Sequence, residues 1–324
     1  MSYQKGLVAT LAELEEFYKG ERDGIGDVLE LMNQTNDILS DIPWMESNMS
    51  DKHKTRVRTG LPEVQFKRMY KGVKPGKSQW QEVDETCAMT ASRCILDLKE
   101  VELYGDRARA FRLSEGKAHL EALRQKAASL LFYGNRAKSS DEFIGFAQRL
   151  SSLGNPHVID AKGSGSETTS MYLVCWGSDT CHGIYPKGSR AGVDKKDLGV
   201  FMAADEDGNQ FQAVGDDYMW DLGLALRDWR AVVRIANIPV ATIDEVDLQS
   251  LTIEAKNKLP EFMRQKAVWY CNQDVLTAIE KQAISKANVH LTYGEYFGSQ
   301  AVPALHGRPI HQCDAILSTE TALK

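Results

Sequence analysis

Two hydrophobic periods alternate along this chain, and the switches between them mark its elements. Helical spacing appears first in Ile25, Val28, Leu29 and Met32, with Asp23 or Asp27 placed to cap the helix start. Asp41-Ile42-Pro43-Trp44 then stops helix formation, because proline forces the residue before it into an extended conformation. The longest helical pattern covers residues 106–134 through Phe111, Leu120, Leu123, Ala127, Leu130 and Leu131. At ~1.5 Å per residue this helix approaches 40 Å, and Gly134 is expected to end it in the left-handed conformation. A third pattern, Leu251, Ala255, Leu259, Phe262 and Met263, is predicted to break at Pro260. A fourth, Val275, Leu276, Ile279, Ala283 and Ile284, follows Asn272 as its cap.

Between the helices the pattern shortens to strands. Residues 53–73, HKTRVRTGLPEVQFKRMYKGV, alternate in polarity and predict a long two-stranded excursion, with turn chemistry at Gly60–Pro62 and Gly72–Gly76. A strand through Cys94-Ile95-Leu96 follows it. Met171–Trp176, Trp229–Asn237 and Ala267–Cys271 are apolar runs that predict buried strands, and residues 307–314 predict a closing one. The acidic, glycine-containing stretch 200–214 predicts a surface loop or hairpin. Helices and strands intermix without a repeat, which gives an α+β class.

Charge changes this picture in one place. Between Lys52 and Lys77 there are nine Lys or Arg and one acid, Glu63, whereas the remaining chain holds 30 basic and 44 acidic residues. A basic arm on an acidic body suits a protein that binds copies of itself. The bland alternative is a solvated hairpin whose charges keep an edge strand from aggregating. With a net charge of -6 the whole chain is not a uniformly basic nucleic-acid binder. A hydrophobic share of 43% across 324 residues supplies a large core without staples. No apolar window is long enough for a membrane span and the first residues lack signal-peptide features, so a cytosolic protein without a membrane partner is expected.

Candidate chemistry is sparse. The six cysteines have no C-x-x-C spacing and are expected to be free buried thiols. Cys175, Cys181 and His182 sit close in sequence, but neighbours on a strand point to opposite faces, so Cys181 and His182 are not expected to pair. The histidines lack zinc-ligand spacing, and Gly163-x-Gly165 lacks the remainder of a phosphate loop. Trp176, Trp220 and Trp229 sit in apolar contexts that predict core packing rather than base stacking. No catalytic, cofactor or metal residue is therefore assigned, and no cofactor is expected.

A set of longer stretches carries more information. NQTNDIL (Asn33–Leu39), IPWMESN (Ile42–Asn48), TRVRTGLPEVQFKRMYKGV (Thr55–Val73), ETCAM (Glu85–Met89), FRLSEGKAHLEAL (Phe111–Leu123) and SLLFYGN (Ser129–Asn135) resemble the major capsid proteins of epsilon-15-like short-tailed bacteriophages. So do VIDAKGSGSETTSMYLVCWG (Val158–Gly177), HGIYPKGSRAG (His182–Gly192), LRDWRAVVRIANI (Leu226–Ile238) and GRPIHQCDAILSTE (Gly307–Glu320), in consistent order across nearly the whole chain.

The resemblance implies a Hong Kong 97-type capsid fold, with these expected segments: an N-terminal arm at 1–45, an extended β-hairpin called the E-loop at 46–90, and a peripheral domain with a long spine helix at 91–135. An axial domain is expected at 136–215 and 265–324, with 216–264 returning to the peripheral domain as sheet and helix. It implies a non-enzymatic protein that assembles into pentamers and hexamers of an icosahedral shell around double-stranded DNA, in the virion after assembly in the host cytoplasm. Implied partners are further copies of the chain, a separate scaffolding protein, a portal protein, optionally a decoration protein, and the packaged DNA without sequence preference. Lys52, Lys54, Arg56, Arg58, Lys67, Arg68 and Lys71 are the candidate intersubunit contacts, with acids of a neighbour as their partners. Two rivals stand beside this reading: a nucleic-acid-binding protein using the hairpin 52–77 as a ribbon, and a thiol hydrolase built on Cys181 and His182.

Overall fold

In a computed structural model the structure describes residues 34–50, 52–205, 207–285, 291–295 and 301–324. The helix expected around Ile25–Met32 lies outside the described residues. The chain divides into two compact units, whose borders fall inside single elements. Among the described residues the first unit holds 91–122 and 194–219, and the second holds 34–90, 123–193 and 220–324.

The second unit is built on a seven-stranded sheet. Its strands are β4 (Val158–Asp160), β5 (Thr168–Cys175), β9 (Val232–Pro239), β10 (Ala267–Cys271), β11 (Leu291–Glu295), β12 (Ala301–Leu305) and β13 (Arg308–Gln312). They lie in the order β11-β12-β13-β10-β5-β9-β4. β5 is buried at every position, as its apolar run predicts. Its alternate residues feed two cores. Met171, Leu173 and Cys175 join Val233, Ile235 and Trp269 under helices α5 (Leu248–Lys258) and α7 (Gln273–Ser285), through Leu248, Ala255, Val275 and Ile279. Tyr172, Val174 and Trp176 join Val232, Ala236 and Tyr270 on the other face, against Ala127, Leu130, Leu131 and Phe132 of helix α3 (Ala108–Tyr133) and Phe146 of α4 (Phe146–Arg149).

The predicted breaks are observed. Pro260 separates α5 from α6 (Glu261–Arg264), and Asn272 caps α7 by accepting from the Val275 N–H at 3.1 Å. The short helix α1 (Ile38–Asp41) stops where Ile42 turns extended before Pro43. Gly134 does end α3, but not in the left-handed conformation. Its missing Cβ instead lets the Phe143 and Leu130 carbonyls approach, each within 2.6 Å of where a Cβ would sit. Trp176 and Trp220 are core residues, whereas Trp229 is 54% exposed on a turn before β9 and packs edge-on to His157 at 4.8 Å. The core expectation for Trp229 fails because the apolar run begins to be buried only at Ala231, two residues later.

A second sheet has the order β1-β6-β8-β3-β2, with β7 beside β8; its strands are β1 (Trp44–Glu46), β2 (Lys52–Gly60), β3 (Gln79–Asp97), β6 (Cys181–Tyr185), β7 (Asp194–Ala204) and β8 (Gln210–Leu226). β7 and β8 form a hairpin over the stretch 200–214 where a loop or hairpin is anticipated, and its strands extend beyond it on both sides, from Asp194 to Leu226. In the first unit that hairpin meets the amino-terminal part of α3. Asp216 is 1% exposed and takes the Arg112 guanidinium at 2.8 Å and the Lys195 ammonium at 3.3 Å. A Cβ at Gly116 would collide with the Tyr218 hydroxyl, so the helix needs glycine where it meets β8. Asp97 caps helix α2 (Leu98–Leu103) through the Lys99 N–H at 2.7 Å. Among the described residues no helix is long and apolar enough to cross a membrane.

The last residues are fixed to the second unit by a buried ion pair. Arg234 donates to Glu320 at 2.9 Å, to the Leu150 carbonyl at 3.0 Å and to the Ser170 hydroxyl at 3.0 Å, while Tyr133 and Ser170 donate to Glu320. Glu320 also pairs its backbone with Thr168. Removing one partner would strand a buried charge, which costs about 3–5 kcal/mol. Glu320→Ala is therefore expected to lower subunit stability by about that amount in urea denaturation, and Glu320→Leu with Arg234→Met to lower it by less; equal losses would show that the ion pair is not the cause.

Candidate intersubunit surface

The site residues lie on the hairpin formed by β2 and β3. β2 reads KHKTRVRTG, and its β-branched Thr55, Val57 and Thr59 suit an extended chain. Its partner pairs antiparallel in the register Lys52↔Thr86, Lys54↔Asp84, Arg56↔Glu82 and Arg58↔Trp80. Period two puts the four cations on one face and His53, Thr55 and Val57 on the other. Across the strand pair Lys52 meets Asp84 at 3.0 Å, Lys54 and Arg56 share Glu82, and the Arg58 guanidinium lies 4.3 Å from the Trp80 ring centroid. Bonds from Lys54 and Arg56 hold the Glu82 carboxyl below its ordinary range, and Glu82 raises Lys54 in turn.

The hairpin root is anchored differently. Glu85 points inward and takes both ends of the Arg149 guanidinium, at 2.8 and 2.6 Å. Arg149 also donates to the Ile144 carbonyl at 3.1 Å and the Leu224 carbonyl at 3.2 Å. This paired, bidentate geometry joins β3 to α4 within the second unit.

The two-stranded ladder ends at Gly60 and Gln79, so the strand expected to run through Val73 stops short. Residues 61–77 form an open connection in which every residue is exposed. Pro62, Pro75 and three glycines from Gly60 to Gly76 interrupt strand pairing there. Tyr70 turns the tip at φ +63°, a left-handed conformation that costs energy for an aromatic residue. Val64, Phe66, Met69 and Tyr70 are almost wholly exposed, and Leu61 nearly so. Lys67, Arg68 and Lys71 stand among them, and among the described residues none of the three makes an ion pair.

The structure thus divides the seven predicted contact residues. Lys52 is paired with Asp84, Lys54 and Arg56 share the one carboxylate of Glu82, and Arg58 is stacked on Trp80; Lys67, Arg68 and Lys71 are presented outward. Charge counting from Lys52 to Lys77 missed the acids because Glu82 and Asp84 lie just beyond the window. The apolar members of the tip, expected to lie on a strand, stand instead on the open connection.

Cys181 and His182 both lie on β6 and are fully buried. Burial pushes the Cys181 thiol far above its ordinary range and the His182 imidazole down to about 4. An activated thiolate needs the opposite shifts. All six cysteines are free.

This architecture is the Hong Kong 97-type capsid fold, the mixed α and β fold of shell-building proteins. The model of the family described as major capsid protein GP7 matches residues 20–324, and the chain belongs to that family. Among solved structures it is similar to a chain of bacteriophage Epsilon15, with 31% identity, 99% of each chain covered and a TM-score of 0.74. It is also similar to a chain of the bacteriophage JBD30 capsid at 10% identity, covering 95% of this chain and 99% of that one with a TM-score of 0.48. None of the curated protein sequences matches this chain. The protein is a phage major capsid protein, a structural component of the virion that assembles into multimeric shells.

Because the tip is uncovered, it contributes nothing to the folded subunit beyond chain entropy. Replacing residues 62–76 by an Asn-Gly turn is expected to leave the urea midpoint of the free subunit unchanged or slightly raised. A marked drop would mean that the tip packs on its own chain.

Proposed function

We propose that the 61–77 tip is the grip by which one subunit holds the next, in pentamers and hexamers of a closed icosahedral shell around double-stranded DNA. The observation that carries this reading is the row of exposed Leu61, Val64, Phe66, Met69 and Tyr70 interleaved with unpaired Lys67, Arg68 and Lys71. Covering an apolar side chain of this size gains roughly 1.5–3 kcal/mol, whereas exposed ion pairs gain far less. The apolar residues therefore supply the affinity and the cations choose the acidic surface that receives them. The stem cations Lys52, Lys54, Arg56 and Arg58 remain secondary contacts, weakened by their bonds within the hairpin.

In this reading residues 1–45 are the arm, 46–90 the E-loop and 91–135 carry the spine helix of the peripheral domain. Residues 136–215 and 265–324 form the axial domain, with 216–264 completing the peripheral one. Assembly takes place in the host cytoplasm with a separate scaffolding protein, and a portal protein occupies one vertex. A decoration protein is an optional outer partner, and the packaged DNA is held without sequence preference. A DNA-binding ribbon is the weaker use of the same hairpin, because Glu82 and Asp84 offset part of the charge of the stem cations.

Reversing Lys67, Arg68 and Lys71 together to Glu, or replacing Phe66 and Tyr70 by Ser, is expected to give folded subunits that fail to form shells with the helper proteins present. Reversing Lys54 alone is expected to leave shells intact. Electron microscopy of co-expressed material reads the outcome, and normal particles from both tip variants would overturn the assignment. Expression of the chain alone tests the scaffold: uniform native-sized shells without any other phage protein would remove the need for one.

A further inference from the structure

Two buried histidines meet at the hairpin root. His53 on β2 and His182 on β6 stand edge to face, with ring centroids 5.7 Å apart. His53 is 4% exposed and His182 is fully buried. Arg227, just after β8, donates from Nη2 to His53 Nε2 at 3.2 Å. A guanidinium has only donors, so this bond requires Nε2 to be unprotonated and puts the ring proton on Nδ1, which then cannot accept from the Asn48 N–H 3.4 Å away. Arg227 also donates to the Ser178 carbonyl at 3.0 Å and lies 3.6 Å from Asp179, which is 92% exposed.

The charged surroundings are unbalanced. Glu85, opposite His53 on β3, favours a protonated His53, but its carboxylate is already committed to Arg149 of α4. The Gly177 backbone and Asp179 favour a protonated His182. Burial is the largest cause opposing a charge on each ring, Arg227 opposes it on both, and His53 opposes it on His182. Neither ring nitrogen of His182 reaches a hydrogen bond in this closed arrangement, and nor does the buried Arg227 Nε.

We propose that His53, His182 and Arg227 form an acid-sensitive latch: proton uptake by the pair sets a further cation beside Arg227 and releases the root of the hairpin from β6 and the segment after β8. The closed root binds fewer protons than an opened one, whose imidazoles titrate as free histidine does. Closure is therefore complete above about pH 6.5 and weakens as the pH falls toward 4, by about tenfold in the opening equilibrium per pH unit for each proton taken up. Below that range His182 is protonated in the closed root too, and its contribution stops changing. The consequence for the shell, a hairpin freed to shift on its neighbour in acid, rests on the grip proposed above; the latch itself is a property of one subunit.

Hydrogen exchange on the free, full-length subunit tests it, with rates corrected for intrinsic pH dependence. Between pH 6.5 and 4.5, amides at 52–57, 83–87 and 181–184 are expected to open at least tenfold more, while β5 and β9 stay protected. The His53→Gln, His182→Leu double variant is expected to lose this dependence. Should that variant fail to fold, exchange at the ring C2–H of the native histidines decides, with both midpoints expected below the ordinary histidine value. Flat protection at the root overturns the proposal, as does a His182 midpoint at or above 6.5. Acid opening confined to residues 34–41, away from the histidine pair, overturns it too. Root opening in free subunits with unchanged shells at pH 5 would support the latch and count against the grip.

Discussion

Apolar side chains that their own chain leaves in water set the terms for the rest of this molecule. Phe66 and Tyr70 end a hairpin whose stem spends its charges internally and whose tip makes no buried contact. Such a row is unfavourable in an isolated monomer and is retained only where another surface covers it. In the proposed grip, further copies of the chain supply that surface. The stem then has a mechanical task, to hold the tip away from the body, and its cross-strand ion pairs keep the two strands in register as they extend.

A projecting lever needs a stiff base. β5 provides it by burying both faces, so that any slip in register would expose apolar side chains on both. Glu85 and Arg149 join the hairpin root to α4, and Arg234 and Glu320 hold the last residues in the same unit. These two pairs are buried and bidentate or multiply bonded. They are therefore costly to break, although they contribute little more than well-packed apolar residues would to net stability. The histidine pair is the exception at this base: a buried polar cluster at the hairpin root whose hydrogen bonds are incomplete.

Much of the body was legible in the sequence because its signals are local. Pro260, Asn272 and the apolar runs at 171–176 and 267–271 each act within a few residues, and each has its expected outcome. The failures come where a residue's role is decided by something distant. Gly134 reads as a left-handed cap by its place after a helix, yet the Phe143 carbonyl nine residues on is what requires it to lack a Cβ. Trp229 belongs to an apolar run but sits before the point where β5 begins to cover it. Glu82 and Asp84 were invisible as partners of Lys54 and Lys52 until a register was known, and a one-residue slip would have put them on the other face. Arg149 lies 64 residues from Glu85 in the chain, and no periodicity links them.

The same distinction explains why the basic stretch is visible in the sequence while the ion pairs within it are not. Net charge is additive along a sequence, so a basic stretch shows itself without any structure. Neutralisation is a property of pairs, so it appears only once the strands are aligned. After alignment the positive field of the hairpin originates mainly at its far end, beside the apolar residues that benefit most from being covered. Steering and adhesion then fall on the same few residues. In the proposed grip, Lys67, Arg68 and Lys71 would draw an acidic surface into contact with Phe66, Met69 and Tyr70, the long range of the first interaction bringing the short-range second one into play.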